Sequence, residues 1–211
     1  MAICREILMT EQTKELKVYF QSVGVLRGQY LPSEADITIG TLITTRGIFP
    51  ANLMPSLGKF IEDYPSATTE RLRYICWLKG VDTKPYYMLK LKRVNKFGPS
   101  WLRRSGRFRV QGLVEKVNQN EVTVFVRRNY RSSPNEEQMK NSPTHIRISL
   151  KDCPADMKRG EFWRFDATLK EGHLNCFRTN FLADAKEAKR ILAQEKELFL
   201  QRKQRDKLRL I

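Results

Sequence analysis

The chain has 211 residues, with 39 Lys and Arg against 23 Asp and Glu, a formal charge of +16 and a pI near 9.9. Hydrophobic residues make up 41%, enough for packed cores, and no run nears the ~20 apolar residues of a membrane-spanning helix. A balance this basic points to a polyanionic partner, with nucleic acid ahead of an anionic membrane surface or an acidic protein.

Residues 1–16 are polar with scattered apolar positions and read as an N-terminal extension. Ile7 to Met9 is too short for a secretory core. From Lys17 the texture becomes β-like: Val18, Phe20 and Val23 to Leu26 form one run, with Gly24 expected to mark a bulge or bend. Ile37 to Thr44 and Ile48 to Leu53 follow as strands around a turn at Arg46-Gly47. Leu57, Phe60, Ile61 and Tyr64 then recur at helical spacing, with Ser56 as the expected N-cap and Pro65 as the stop. Arg71 to Lys79 and Tyr86 to Val94 complete a β-β-β-α-β-β unit over residues 17–94.

Residues 95–106 carry Gly, Pro and Ser punctuation and read as a linker. Strand patterns resume at Phe108 to Val117, Val122 to Asn129, His145 to Leu150, Glu161 to Leu169 and His173 to Phe181, giving a second unit over residues 107–181. Residues 130–143 are a long loop, either a cover for a bound strand or a tolerated insertion. Residues 182–211 read as a basic C-terminal helix, suited to capping the second unit, to a protein partner or to phosphate. Sliding the halves by 88 positions places Phe20, Gly24, Val25 and Leu26 on Phe108, Gly112, Leu113 and Val114. The later aromatic strand Tyr74 to Leu78 then falls near Phe162 to Phe165, and the element order repeats.

This order resembles the OB-fold, and the chain looks like two such units in tandem. The class expected is mainly β: two small OB-like β-barrels followed by a C-terminal α-helix. The second unit departs in one respect, shortening the helix to the segment from Cys153 to Gly160, and an SH3-like or other small barrel would fit its strands nearly as well. The resemblance implies oligonucleotide binding on the face of strands two and three and on the flanking loops. The run Val23 to Gly28 followed by Pro32-Ser-Glu34 also looks like cyanobacterial proteins that bring no activity with them.

Charge is concentrated between Lys84 and Arg131, where thirteen Lys and Arg face only Glu115 and Glu121. Aromatic rings are interleaved with these cations, a pattern suited to phosphates and unstacked bases. Tyr87, Phe108 and Phe125 are expected in strand cores. Phe97, Trp101 and Tyr130 lie in linker or loop and are the stacking candidates. The phosphate candidates are Lys90, Lys92, Lys96, Arg103, Arg104, Arg107, Arg109, Arg127, Arg128 and Arg131. Lys90 with Lys92, and Arg107 with Arg109, are two apart and so share a strand face.

No catalytic constellation competes with this tract. A serine elbow, a Walker loop, His-Glu-x-x-His and clustered acids are all missing from the sequence. His145, Cys153, His173 and Cys176 lack the paired spacing of a structural zinc site, so no metal or cofactor is expected. Cys4, Cys76, Cys153 and Cys176 form no Cys-x-x-Cys pair, and Cys76 sits in an apolar run as a buried thiol would. The expectation is a soluble, reduced, cytoplasmic, non-catalytic protein that binds single-stranded nucleic acid, RNA before DNA, across the junction of two barrels. The alternative is an adaptor subunit that uses the barrels, or the C-terminal helix, to meet other proteins.

Overall fold

Strand β1 (Gln21–Pro32) is twelve residues long, and that length lets it serve three neighbours at once. The structure is a computed structural model and describes residues 18–80, 87–93, 104–130, 143–151, 154 and 156–208. The last third of β1 pairs antiparallel with β2 (Ile39–Thr44), which turns through residues 45–46 into β3 (Gly47–Leu53). The middle of β1 pairs with β4 (Leu72–Gly80), and β4 with β5 (Tyr87–Arg93). A parallel ladder from β3 to β5 closes the ring β1-β2-β3-β5-β4. Alternation does the sorting: Leu26, Tyr30, Leu42, Phe49, Tyr74, Cys76, Leu78, Leu89 and Leu91 point inward and are buried. The result is a closed five-stranded, OB-like barrel.

Helix α1 (Pro55–Asp63) sits between β3 and β4, with Leu57 and Ile61 buried against the barrel. Its N-cap is Met54 rather than Ser56, because Pro55 occupies the first helical position, where a missing N–H costs nothing. Pro65 opens a short 3-10 turn (Pro65–Thr68) after the helix has stopped.

The second half repeats the strand order with β6 (Arg107–Asn118), β7 (Glu121–Val126), β8 (Thr144–Ser149), β9 (Phe162–Lys170) and β10 (His173–Ala183), and among the described residues between β8 and β9 there is no helix where a shortened one was expected. The pairings run β6-β7-β8-β10-β9 and return to β6. Its parallel link, β8 to β10, is a single residue pair, Asn175 opposite Ser149. Val110, Val114, Val122, Val124, Ile146, Ile148, Phe165, Ala167 and Leu169 fill the interior. Helix α2 (Ala185–Leu208) follows β10 directly.

The halves are stitched into one ten-stranded sheet. Residues 21–24 of β1 pair antiparallel with residues 108–111 of β6. Gly24 makes no bulge, and its ladder with β4 runs through unbroken. Its absent side chain has another cause: a Cβ there would strike the Phe108 ring and the Arg107 carbonyl. The Asn129 side chain holds the backbone of Phe20 from both sides, accepting from its N–H at 2.7 Å and donating to its carbonyl at 2.8 Å. Further ties join Gly80 N–H to Thr144 Oγ1 at 2.7 Å, Tyr87 hydroxyl to the Arg147 carbonyl, and Glu171 N–H to the Arg46 carbonyl at 3.0 Å. Among the described residues no helix is long and apolar enough to cross a membrane.

Candidate nucleic-acid interface

Residues directly opposite in an antiparallel ladder point to the same side of the sheet. Across the junction this places Lys90 (β5), Trp77 (β4), Val23 (β1), Arg109 (β6), Asp166 (β9) and Arg178 (β10) in one transverse row on the side of the sheet away from the barrel core, exposed at Lys90, Trp77 and Arg178 and buried at Val23 and Asp166. Lys92 opposite Ile75, and Arg27 opposite Arg73, extend the same face along the strands. Lys90 and Lys92 are exposed while Leu89 and Leu91 are buried, which is the alternation their spacing demands. On β6, Arg107 and Arg109 likewise alternate with the buried Phe108 and Val110.

Two contacts orient the β6 arginines. Arg109 donates from Nε to one Asp166 carboxylate oxygen at 2.7 Å and from Nη2 to the other at 3.3 Å. This bidentate pair holds the guanidinium planar against the sheet and cancels one charge in the row. The Arg107 guanidinium carbon lies 4.4 Å from the centroid of the Phe177 ring, an attraction of roughly 0.5–1 kcal/mol at an exposed site. The neighbouring row is polar throughout: Gln21, Gln111, Arg164 and Asn180 lie opposite one another on β1, β6, β9 and β10.

The candidates after β7 stand apart from this face. Arg127 lies between the Phe20 ring at 4.6 Å and the Tyr130 ring at 4.5 Å, and 3.7 Å from the Glu195 carboxylate of α2. Burial lowers its pKa from the ordinary guanidinium value, and Glu195 and Tyr130 oppose that shift. Tyr130 also packs on Phe199 of α2, with ring centroids 5.5 Å apart. Arg127 and Tyr130 are therefore engaged in seating the helix. Arg128 is exposed beside them, and Arg104 is exposed just before β6. Lys96, Phe97, Trp101, Arg103 and Arg131 lie outside the described residues, as does most of the loop 130–143.

The face implied by the OB-fold resemblance differs in chemistry. Strands β2 and β3 contain no Lys or Arg. Their outer side, with the end of β1, exposes Leu31, Ile39 and Ile48, the last at 63%. Cations sit instead on the β5-β4-β1-β6-β9-β10 side. Residue typing alone passed over Trp77, Phe177 and Arg178. The signal for Trp77 was present, since Arg73, Ile75, Trp77 and Lys79 share one parity and Tyr74, Cys76 and Leu78 the other.

Among the described residues no three His, Cys, Asp or Glu side chains cluster as metal ligands. A cleft of about 610 Å³ lies where the end of β4 meets β6–β8, lined by Lys79, Lys116, Arg147, His145, Glu115 and Glu121 among others. Its charges are mixed, and His145 Nε2 lies 3.1 Å from the Glu115 carboxylate.

No family model matches the chain, and no curated protein does. Among solved structures it is similar to the chain of "Crystal structure of the tetrameric p202 HIN2" at 9% identity, over 77% of this chain and 92% of that one. The TM-score is 0.21, too low to support a conclusion about fold or function.

Proposed function

We propose that this is a non-catalytic protein that binds single-stranded nucleic acid on the outer face shared by its two halves. The observation that carries the reading is the transverse row Lys90, Trp77, Val23, Arg109, Asp166, Arg178, supported by Lys92 and Arg107. Lysines and arginines at strand spacing match a backbone of repeated phosphates, and displaced counterions supply the affinity. Exposed rings on that face favour unstacked bases over a duplex. Lys96, Phe97, Trp101, Arg103, Arg104, Arg128 and Arg131 are kept as additional contacts from the segments on either side of β6 and β7.

Fluorescence anisotropy with labelled single-stranded RNA, single-stranded DNA of the same sequence, and duplex tests this across a salt series. Single strands should bind more tightly than duplex, with log affinity falling steeply against log salt. Weak, salt-insensitive binding to every oligonucleotide would sink the proposal. The comparison of RNA with DNA decides the sugar, where RNA is the preferred ligand.

A second reading has its own support. Exposed Ile39, Ile48 and Leu31 form an uncharged apolar surface on β1–β3, the kind of surface an adaptor presents to a protein. Pull-down before and after nuclease treatment separates the two, because a protein partner held there survives nuclease.

A further inference from the structure

We infer that Trp77 and Phe177 are the base-stacking platforms of this face, one from each half, and that they set the path of the bound strand. This rests on the single-strand reading above and goes beyond it by naming which rings take bases. Trp77 lies in β4 between β1 and β5, yet it is 37% exposed, with Val23 and Lys90 as its cross-strand neighbours. Phe177 is 51% exposed and stands where β10 breaks register between Cys176 and Arg178. A bulge inserts one residue and re-aims its side chain. Here it turns a ring onto the cationic face, where Arg107 covers one side of it at 4.4 Å. A guanidinium already stacked on one face leaves the other for a base, and cation, ring and base then form a sandwich.

The two rings flank Arg107 and Arg109 of β6. From β4 to β10 the sheet takes four strand steps, roughly 19 Å at the usual ~4.8 Å spacing. Bases on the two platforms are therefore not neighbours in the ligand. The strand must cross the β-strands, with the exposed Lys90 beside Trp77 and the exposed Arg178 beside Phe177 placed to meet its phosphates. Tyr130 is not a third platform, since its ring is packed between Arg127 and Phe199.

The test uses the full chain and oligouridylate of increasing length, with Kd read by anisotropy. Trp77→Leu keeps apolar bulk without a π face, and Trp77→Phe keeps a ring. Phe177→Ala removes the second platform at an exposed position. The Trp77→Leu and Phe177→Ala losses should each be roughly 5- to 150-fold, the equivalent of about 1–3 kcal/mol per stacked base. The losses should multiply in the double variant, and Trp77→Phe should retain most of the affinity. The salt slope should not move in any of them, because no phosphate contact has been removed. Wild-type binding with Trp77→Leu equal to Trp77→Phe, or with Phe177→Ala within twofold, overturns the platforms and leaves the single-strand reading standing. A wild-type chain that binds no single strand overturns both.

Discussion

Ser22 and Val110 lie directly opposite one another in the β1–β6 ladder, and they are 88 positions apart in the chain. That is the offset at which the halves align in sequence. The flanking pairs obey it too, since adding and subtracting 88 turns Gln21–Gln111 into Val23–Arg109. The halves therefore meet about a local pseudo-two-fold axis through Ser22 and Val110, as two copies of one unit do in an isologous dimer. Gly24 and Gly112 are equivalent about this axis, and each admits a close neighbour that a side chain would displace.

Gly24→Ala should therefore be costly. The new methyl meets the Phe108 ring and a backbone carbonyl, and neither can retreat without opening the β1–β6 ladder. A loss of about 2–4 kcal/mol is expected, at the upper end for overpacking. Urea unfolding checks it, and a change within 0.5 kcal/mol (about the surface-mutation range) would mean that the junction is looser than the ladder implies.

Arg127→Ala should loosen α2. The side chain is 14% exposed, and its removal takes away two ring contacts and leaves Glu195, 9% exposed, without its cation. A cost of about 2 kcal/mol follows, or roughly 4–8 °C in Tm for a chain of this size. Glu195→Gln should cost less, because the Arg127 guanidinium keeps both of its ring contacts. The Arg127 variant should leave the salt slope of nucleic-acid binding unchanged when measured well below its Tm.

The row itself should titrate by charge. Lys90→Ala and Arg178→Ala should each flatten the slope of log affinity against log salt by about 0.7, the single-strand value per phosphate contact. Asp166→Asn should act in the opposite direction, since it releases Arg109 from a bidentate partner. Tighter binding at low salt is expected there, at some expense in stability. Asp166→Asn binding more weakly than wild type, with its fold intact, would argue that the carboxylate orients Arg109 rather than competing for it.

The cysteines give a pH prediction. Burial pushes the Cys176 thiol up to about 11 and raises the fully buried Cys76 still further. A raised thiol pKa lowers the thiolate fraction at every pH below it, and the thiolate is the nucleophile. At pH near 7.5 both should alkylate far more slowly in the native protein than in urea. The Cys176 rate should climb as pH approaches 11. Peptide mapping after iodoacetamide labelling reads each site separately. Native Cys76 reacting as fast as the unfolded chain would contradict its burial.

Much of this architecture was legible in the chain because its signals are local. Strand alternation, the helical spacing of Leu57 to Tyr64 and the turn at Arg46-Gly47 each declare themselves within a few residues. Ser56 was misplaced as a cap because proline's preference for the first helical turn outranks a serine hydroxyl one position later. Gly24 was misread as a bend because its reason, the Phe108 ring, comes from 84 positions further along the chain.

The sequence by itself determined the basic charge, the mainly β class and the pairing of Lys90 with Lys92 and Arg107 with Arg109 on their strand faces. Period-two alternation needs no knowledge of partners. Only the tertiary structure decided which strands those faces would join. It set β1 against β6, brought Lys90, Trp77, Arg109 and Arg178 into a single row and committed Arg127 and Tyr130 to the helix. The reason is physical: a ladder's register is set by packing across the junction, between residues that are distant in sequence.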